Sequence, residues 1–280
     1  MLSSTQGEPV GLKYRIGAAF DGALQATLPS RHFPLTRYVP YGVSWLYDVQ
    51  RFMGTRSLGV LFDVGANVGQ TLGHLLKYAP DAEIYSFEPT DGAFATLSAN
   101  FGNRKNVHLR KMALGSTPGT MALQVRANSE LNTLVPADGA DGQTQATTQA
   151  TEVSTVDAVV AKHGIGHLDV LKLDVQGWEM EVVRGASGLI ADHNLIFVLA
   201  EMTFRSDQKE MQQFTELHDH LEARGFVLSG MYEPLRYGPR KEFILFANVL
   251  YLHPQARLKW TDMADEWNRW MAQQDPKAGH

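Results

Sequence analysis

Asp63-Val-Gly-Ala-Asn-Val-Gly69 sets a carboxylate, an amide and two glycines in one short turn, behind an apolar run starting at Leu58. Glycines there let the backbone approach a ligand, and the N-terminus of a following helix offers free amides. Glu88 follows 19 positions after Gly69, at the end of a second apolar stretch. A carboxylate so placed can accept both ribose hydroxyls of a nucleoside. Asp174 ends a third stretch, Leu171-Lys-Leu-Asp174, ahead of a turn at Gly177, and Glu201 ends a fourth that begins at Leu195. Taken singly, Glu88 reads as an exposed strand-end acid and Asp174 as a helix N-cap. Three such elements in register on successive strands favour a shared ligand site.

The elements that must position them alternate strand with helix. Leu58 to Val64, Glu83 to Glu88, Val107 to Leu114, His167 to Asp174 and Leu195 to Glu201 read as strands, with Thr120 to Val125 as an added hairpin strand. Val68 to Tyr78, Asp91 to Phe101, Val153 to His163 (from a strand end), Glu179 to Ile190 and Asp207 to Arg224 read as helices. Phe226 to Met231 and Glu242 to Leu252 complete the series as antiparallel neighbours. Such a βαβ series predicts an open, doubly wound, mostly parallel sheet covered on both faces, with ligands beyond the carboxyl ends of its strands.

The expected division is an N-terminal helical or cap extension over 1–57, a cofactor-binding domain over 58–252 and a helical tail over 253–280. The polar stretch 128–151 reads as a surface insertion. Phe33 to Phe52, with Tyr38, Tyr41, Trp45 and Tyr47, reads first as core packing and second as a cap on the site. Trp267 and Trp270 stand at helical spacing and suggest a docked helix or a subunit contact, so a homo-oligomer through either extension is an expectation.

The 280 residues carry 25 Lys+Arg against 30 Asp+Glu, a formal charge of −5, which lacks the basic footprint of a nucleic-acid partner. The absence of cysteine excludes disulfides, thiolate nucleophiles and Cys-based metal sites. Met1 to Pro9 lacks the basic and apolar stretches of a signal peptide, and no run is long enough to span a bilayer; a soluble, cytoplasmic protein without a membrane partner is expected.

A dinucleotide loop requires G-x-G-x-x-G. Here Asn67 stands in the middle and the spacing is Gly65-x-x-x-Gly69, so a nicotinamide-dependent oxidoreductase is an alternative with a poor pyrophosphate fit. A non-catalytic nucleotide-binding protein of the same fold is the other alternative.

The run Phe62-Asp-Val-Gly-Ala-Asn-Val-Gly-Gln-Thr71, then Ser86-Phe-Glu-Pro89 and Met112-Ala-Leu-Gly115, resembles the FkbM-type methyltransferases. So do Val153-Ser-Thr-Val-Asp157, Asp169-Val-Leu-Lys-Leu-Asp-Val-Gln-Gly-Trp-Glu179 and Arg184-Gly-Ala186, giving a resemblance over roughly 58–205. One departure is Gln176, where many relatives carry Glu. The resemblance implies a class I, Rossmann-like methyltransferase fold with a seven-stranded sheet and an antiparallel terminal strand. It also implies S-adenosylmethionine as cofactor and a hydroxyl acceptor on a sugar, polyketide or other secondary metabolite.

On that reading the amides from Gly65 through Asn67 to Gly69, with the Thr71 hydroxyl, hold the methionine carboxylate, while Asp63 reaches its ammonium group. Glu88 takes the ribose, and Met112 and Ala113 flank the adenine. Asp174 is the first candidate for a base or metal ligand at the acceptor, and Glu201 the second. Together they could hold Mg²⁺, but the neighbouring acid such metal enzymes carry is here Met202, which weighs against a metal. The histidines, among them His74, His108, His218 and His220, read as solvated or structural.

Overall fold

The computed structural model describes residues 40–125 and 147–274. Strands β1 (Val60–Val64), β2 (Glu83–Phe87) and β3 (Val107–Arg110) pair in parallel, and so do β7 (Leu168–Leu173) and β8 (Leu195–Thr203). With β9 (Val227–Tyr237) and β10 (Phe243–Leu252) they form a seven-stranded sheet of order β3-β2-β1-β7-β8-β10-β9, in which β10 runs antiparallel to both neighbours. This is the expected doubly wound, Rossmann-like sheet, with its order reversing between β1 and β7.

The strands bury both faces, as apolar runs without polar alternation require. Phe62, Val64, Phe87, Leu171 and Leu173 enter one core, against α4 (Val156–His163), α5 (Glu179–Arg184), α6 (Ser187–Ala191) and α7 (Phe214–Glu222). Leu61, Ile84, Val170 and Leu199 enter the other, against α1 (Trp45–Phe52), α2 (Gln70–Tyr78), α3 (Asp91–Phe101) and α8 (Pro254–Trp260). Trp45 is buried in that second core, in keeping with the packing reading, whereas Tyr41 is exposed. Phe33 and Tyr38 lie outside the described residues. Trp267 and Trp270 sit in α9 (Ala264–Gln274) with their rings 5.2 Å apart. No described helix is long and apolar enough to cross a membrane.

Five expected boundaries are corrected. The strand expected over Val107 to Leu114 is two strands: β3 ends at Arg110, and β4 (Ala113–Leu114) leaves for a second sheet of order β4-β6-β5. In that sheet β6 (Thr147–Ser154) pairs along the whole of β5 (Gly119–Val125), so the end of the expected insertion is regular structure. The rest of that insertion, 128–146, lies outside the described residues. The helix expected over Glu179 to Ile190 breaks at Gly185, where a Cβ would stand 2.1 Å from the Gly115 carbonyl oxygen. Asp157 then caps the second piece, accepting from the Gly188 and Leu189 amides at 2.7 and 3.0 Å.

The helix expected from Asp207 starts only at Phe214, because Gln212 is held extended by a hydrogen bond from the Thr203 amide at 2.9 Å. Finally, β9 runs past Met231 to Tyr237, since β10 pairs with it over that whole length through several irregularities of register.

Candidate functional site

At the end of β1 the chain turns under the end of β2: Gly65 and Ala66 both donate to the Phe87 carbonyl at 3.0 Å. Gly65 holds φ +80, and a Cβ there would stand 1.9 Å from the Asp174 carbonyl oxygen, so only glycine passes between these strand ends. Asn67, at φ +49, donates its amide to Glu88 Oε2 at 2.9 Å. Glu88 Oε1 accepts from the Thr90 amide at 2.9 Å and the Thr90 hydroxyl at 2.6 Å. Glu88 is therefore a buried, oriented carboxylate and not an exposed strand-end acid. Its three donors leave acceptor capacity for a ligand's hydroxyls.

These residues open on a cavity of about 590 Å³, within the size range of small-molecule sites. Gly65, Asn67, Thr71, Glu88, Met112, Ala113, Asp174 and Glu201 all line it. Two of the expected binding residues do not. Asp63 is fully buried beneath the turn, where its Oδ1 lies 3.3 Å from Lys172 Nζ without a hydrogen bond. Gly69 N-caps α2 at φ +97, and a Cβ there would meet the Phe101 ring at 2.3 Å and Leu97 at 2.9 Å. Its glycine serves helix packing rather than ligand approach. No histidine among the described residues lines the cavity.

The opposite wall is built by the ends of β7 and β8. Lys172 Nζ is 3.3 Å from Asp174 Oδ2, and Gln176 Nε2 donates to Asp174 Oδ1 at 3.0 Å and to Glu201 Oε2 at 3.4 Å. Burial by itself would lower the proton affinity of Lys172, but Asp174 and Asp63 outweigh it and raise it, so the ammonium stays charged. For Asp63 the balance is opposite: loss of water outweighs Lys172 and pushes the carboxyl up. Glu201 is pushed up to about 8, first by burial and then by the negative charges of Asp174 and Glu179. Glu179 is buried behind the wall and accepts from the Val175 and Gly177 amides, both at 2.9 Å; burial raises it as well.

Sequence reasoning passed over Lys172 and Glu179 as site residues. The signal for Lys172 was present: a lysine near the end of a fully buried strand requires an anionic partner. Glu179 had no comparable mark, because its partners are the backbone amides of the preceding turn.

A divalent cation does not fit the acids at the strand ends. Both Asp174 oxygens face donors, one of them an ammonium, and Gln176 donates toward Glu201. Among the described residues no group of three His, Asp or Glu side chains is arranged to hold a metal. S-adenosylmethionine does fit: Glu88 suits a ribose, the β1–α2 turn and Thr71 a carboxylate, and Met112 and Ala113 a flat base.

Residues 63–228 match the methyltransferase FkbM domain family. The hexuronic acid methyltransferase AglP of Haloferax volcanii is 24% identical over 153 residues, which are 54% of this chain and 59% of the relative. Methyltransferase 1 of Beauveria bassiana is 26% identical over 156 residues, 50% of this chain and 61% of the relative. The chain thus spans about three-fifths of the length of these curated relatives. Among solved structures, magnesium protoporphyrin IX methyltransferase (ChlM) from Synechocystis PCC 6803 superposes with a TM-score of 0.43 at 11% identity, covering 89% of this chain and 86% of that one. The family match covers more than half of the sequence and displaces the nicotinamide alternative. The chain belongs to the methyltransferase FkbM domain family, whose cofactor is S-adenosylmethionine.

Proposed function

We propose that the protein transfers a methyl group from S-adenosylmethionine to a hydroxyl oxygen of a small molecule or glycan. One observation carries this reading: the half-buried carboxyl of Glu201 faces the cofactor cavity with a raised affinity for protons and only a 3.4 Å contact from Gln176. When bound, the cofactor supplies an electrophilic methyl carbon; the protein must align an acceptor oxygen behind it and take away the acceptor's proton.

Glu201 suits proton removal better than Asp174, the first candidate from sequence. Asp174 is held by Lys172 and Gln176 and acts as a fixed negative charge, orienting the acceptor through hydrogen bonds. Glu201 receives the proton at its carboxylate. Glu88 binds the ribose hydroxyls, and the amides of the β1–α2 turn with Thr71 hold the amino-acid end. The name of the Haloferax relative supports the sugar class of acceptor.

Incubation with S-adenosylmethionine labelled in its methyl group, across a panel of sugars and polyketides, tests the proposal. A labelled methyl ether is the expected product. Cofactor binding without methyl gain on any hydroxyl would instead support a non-catalytic binding protein.

A further inference from the structure

Gln176, in the turn between β7 and α5, holds φ +54, a left-handed conformation that is costly for a residue with a Cβ. The Glu179 carboxylate braces that conformation from both sides. Its Oε1 accepts from the amide of the preceding Val175 and its Oε2 from the amide of the following Gly177, each at 2.9 Å. Glu179 is 1% exposed and does not line the cavity. The half-buried Gln176 does line it, and its Nε2 donates to Asp174 Oδ1 at 3.0 Å and to Glu201 Oε2 at 3.4 Å. One side-chain amide thus spans acids from two strand ends, and a buried carboxylate fixes the backbone that aims it.

We infer that Glu179 is a positioning residue for methyl transfer, acting through Gln176 to orient the Glu201 carboxylate, a role that rests on Glu201 taking the acceptor's proton as proposed above. Hydrogen bonds to an ionised acceptor are the stronger kind, and a carboxylate accepts on both of its oxygens. A glutamine in its place would set its own NH₂ against one of the two backbone donors. Released on that side, the turn can leave the left-handed conformation and carry the Gln176 amide away from Glu201.

Side-chain carboxyl NMR of the unliganded full chain reads the titration midpoint of Glu201 and needs no acceptor. Burial, Asp174 and Glu179 raise that carboxyl, whereas Lys172 and Gln176 lower it. Glu210 lines the same cavity, and the uncharged Asn248 stands opposite Glu201 in register on β10. Gln176→Ala is expected to move the midpoint up by about half a pH unit, the effect of losing one long hydrogen bond to a carboxylate. Glu179→Gln does two things: it removes a negative charge, which moves the midpoint down, and it frees Gln176, which moves it up. The charge effect persists when Gln176→Ala is already present. The downward shift is therefore expected to be larger in that background, by about half a pH unit. Equal shifts in the two backgrounds overturn the inference. So does an unchanged midpoint in Gln176→Ala, a change at a half-buried side chain, whether or not Glu179→Gln folds. Coupling between the two variants in a protein that methylates no hydroxyl of the sugar and polyketide panel would instead strike the proposed transfer, and the positioning role with it.

Discussion

Lys172, near the end of β7, and Asp174, just past it, lie two positions apart, with the ammonium 3.3 Å from the carboxylate at the cavity floor. The same ammonium is 3.3 Å from Asp63 on the neighbouring strand, opposite Lys172 in register. One buried cation therefore ties the turn that begins at β1 to the acceptor wall that begins at β7. Removing it leaves two carboxylates facing each other without compensation.

Lys172→Met is accordingly expected to destabilise the protein by about 3–5 kcal/mol, the usual cost of breaking a buried pair from one side. Denaturant unfolding measures this. Adding Asp63→Asn removes one of the stranded charges and is expected to restore part of the loss. A double variant no more stable than Lys172→Met would contradict the ion-pair account.

Glu201→Gln is expected to lower kcat by about 10²–10⁴-fold, as removal of a proton acceptor does, with S-adenosylhomocysteine affinity nearly unchanged. Steady-state kinetics beside calorimetry read the two quantities. Equal losses in both would assign Glu201 to cofactor binding.

The raised proton affinity of Glu201 also gives the pH dependence a sign. A base must be ionised to act, so kcat is expected to rise with pH through about 8 and then level off, and Glu201→Gln should abolish that rise. Folding responds in the opposite direction. A carboxyl whose proton affinity is higher folded than unfolded contributes stability that is fully present below the ordinary value of 4.5 and is lost as pH rises from there toward 8. Melting temperatures of the unliganded protein should fall across that window, less steeply in Glu201→Gln.

Gly69→Ala distinguishes packing from ligand approach. The left-handed φ and the contacts with Phe101 and Leu97 lead to an expected loss of about 1–3 kcal/mol in stability. Cofactor affinity, measured where the variant is folded, should change little. Weakened binding at full stability would return Gly69 to the cofactor loop.

Much of this site was legible because its chemistry sits at strand ends. Glu88, Asp174 and Glu201 each close an apolar run, and alternation of strand and helix brings such ends to one edge of a parallel sheet. What remained hidden was decided by contacts distant in sequence. The Gly185 break depends on the backbone at Gly115, the late start of α7 on Thr203, and the strand at Thr147–Ser154 on a partner that begins at Gly119. Asp63 looked like a ligand residue because it opens the glycine turn. Its direction is set by Lys172, more than a hundred residues away in the chain.

The cofactor half of the cavity, organised around Glu88, is testable without knowledge of the acceptor. Calorimetric titration with S-adenosylhomocysteine should show one-site binding to the wild type, weakened about 10–100-fold in Glu88→Ala, the loss expected for hydrogen bonds to a charged group. The same affinity in both proteins, or binding of NADH and not of S-adenosylhomocysteine, would contradict it.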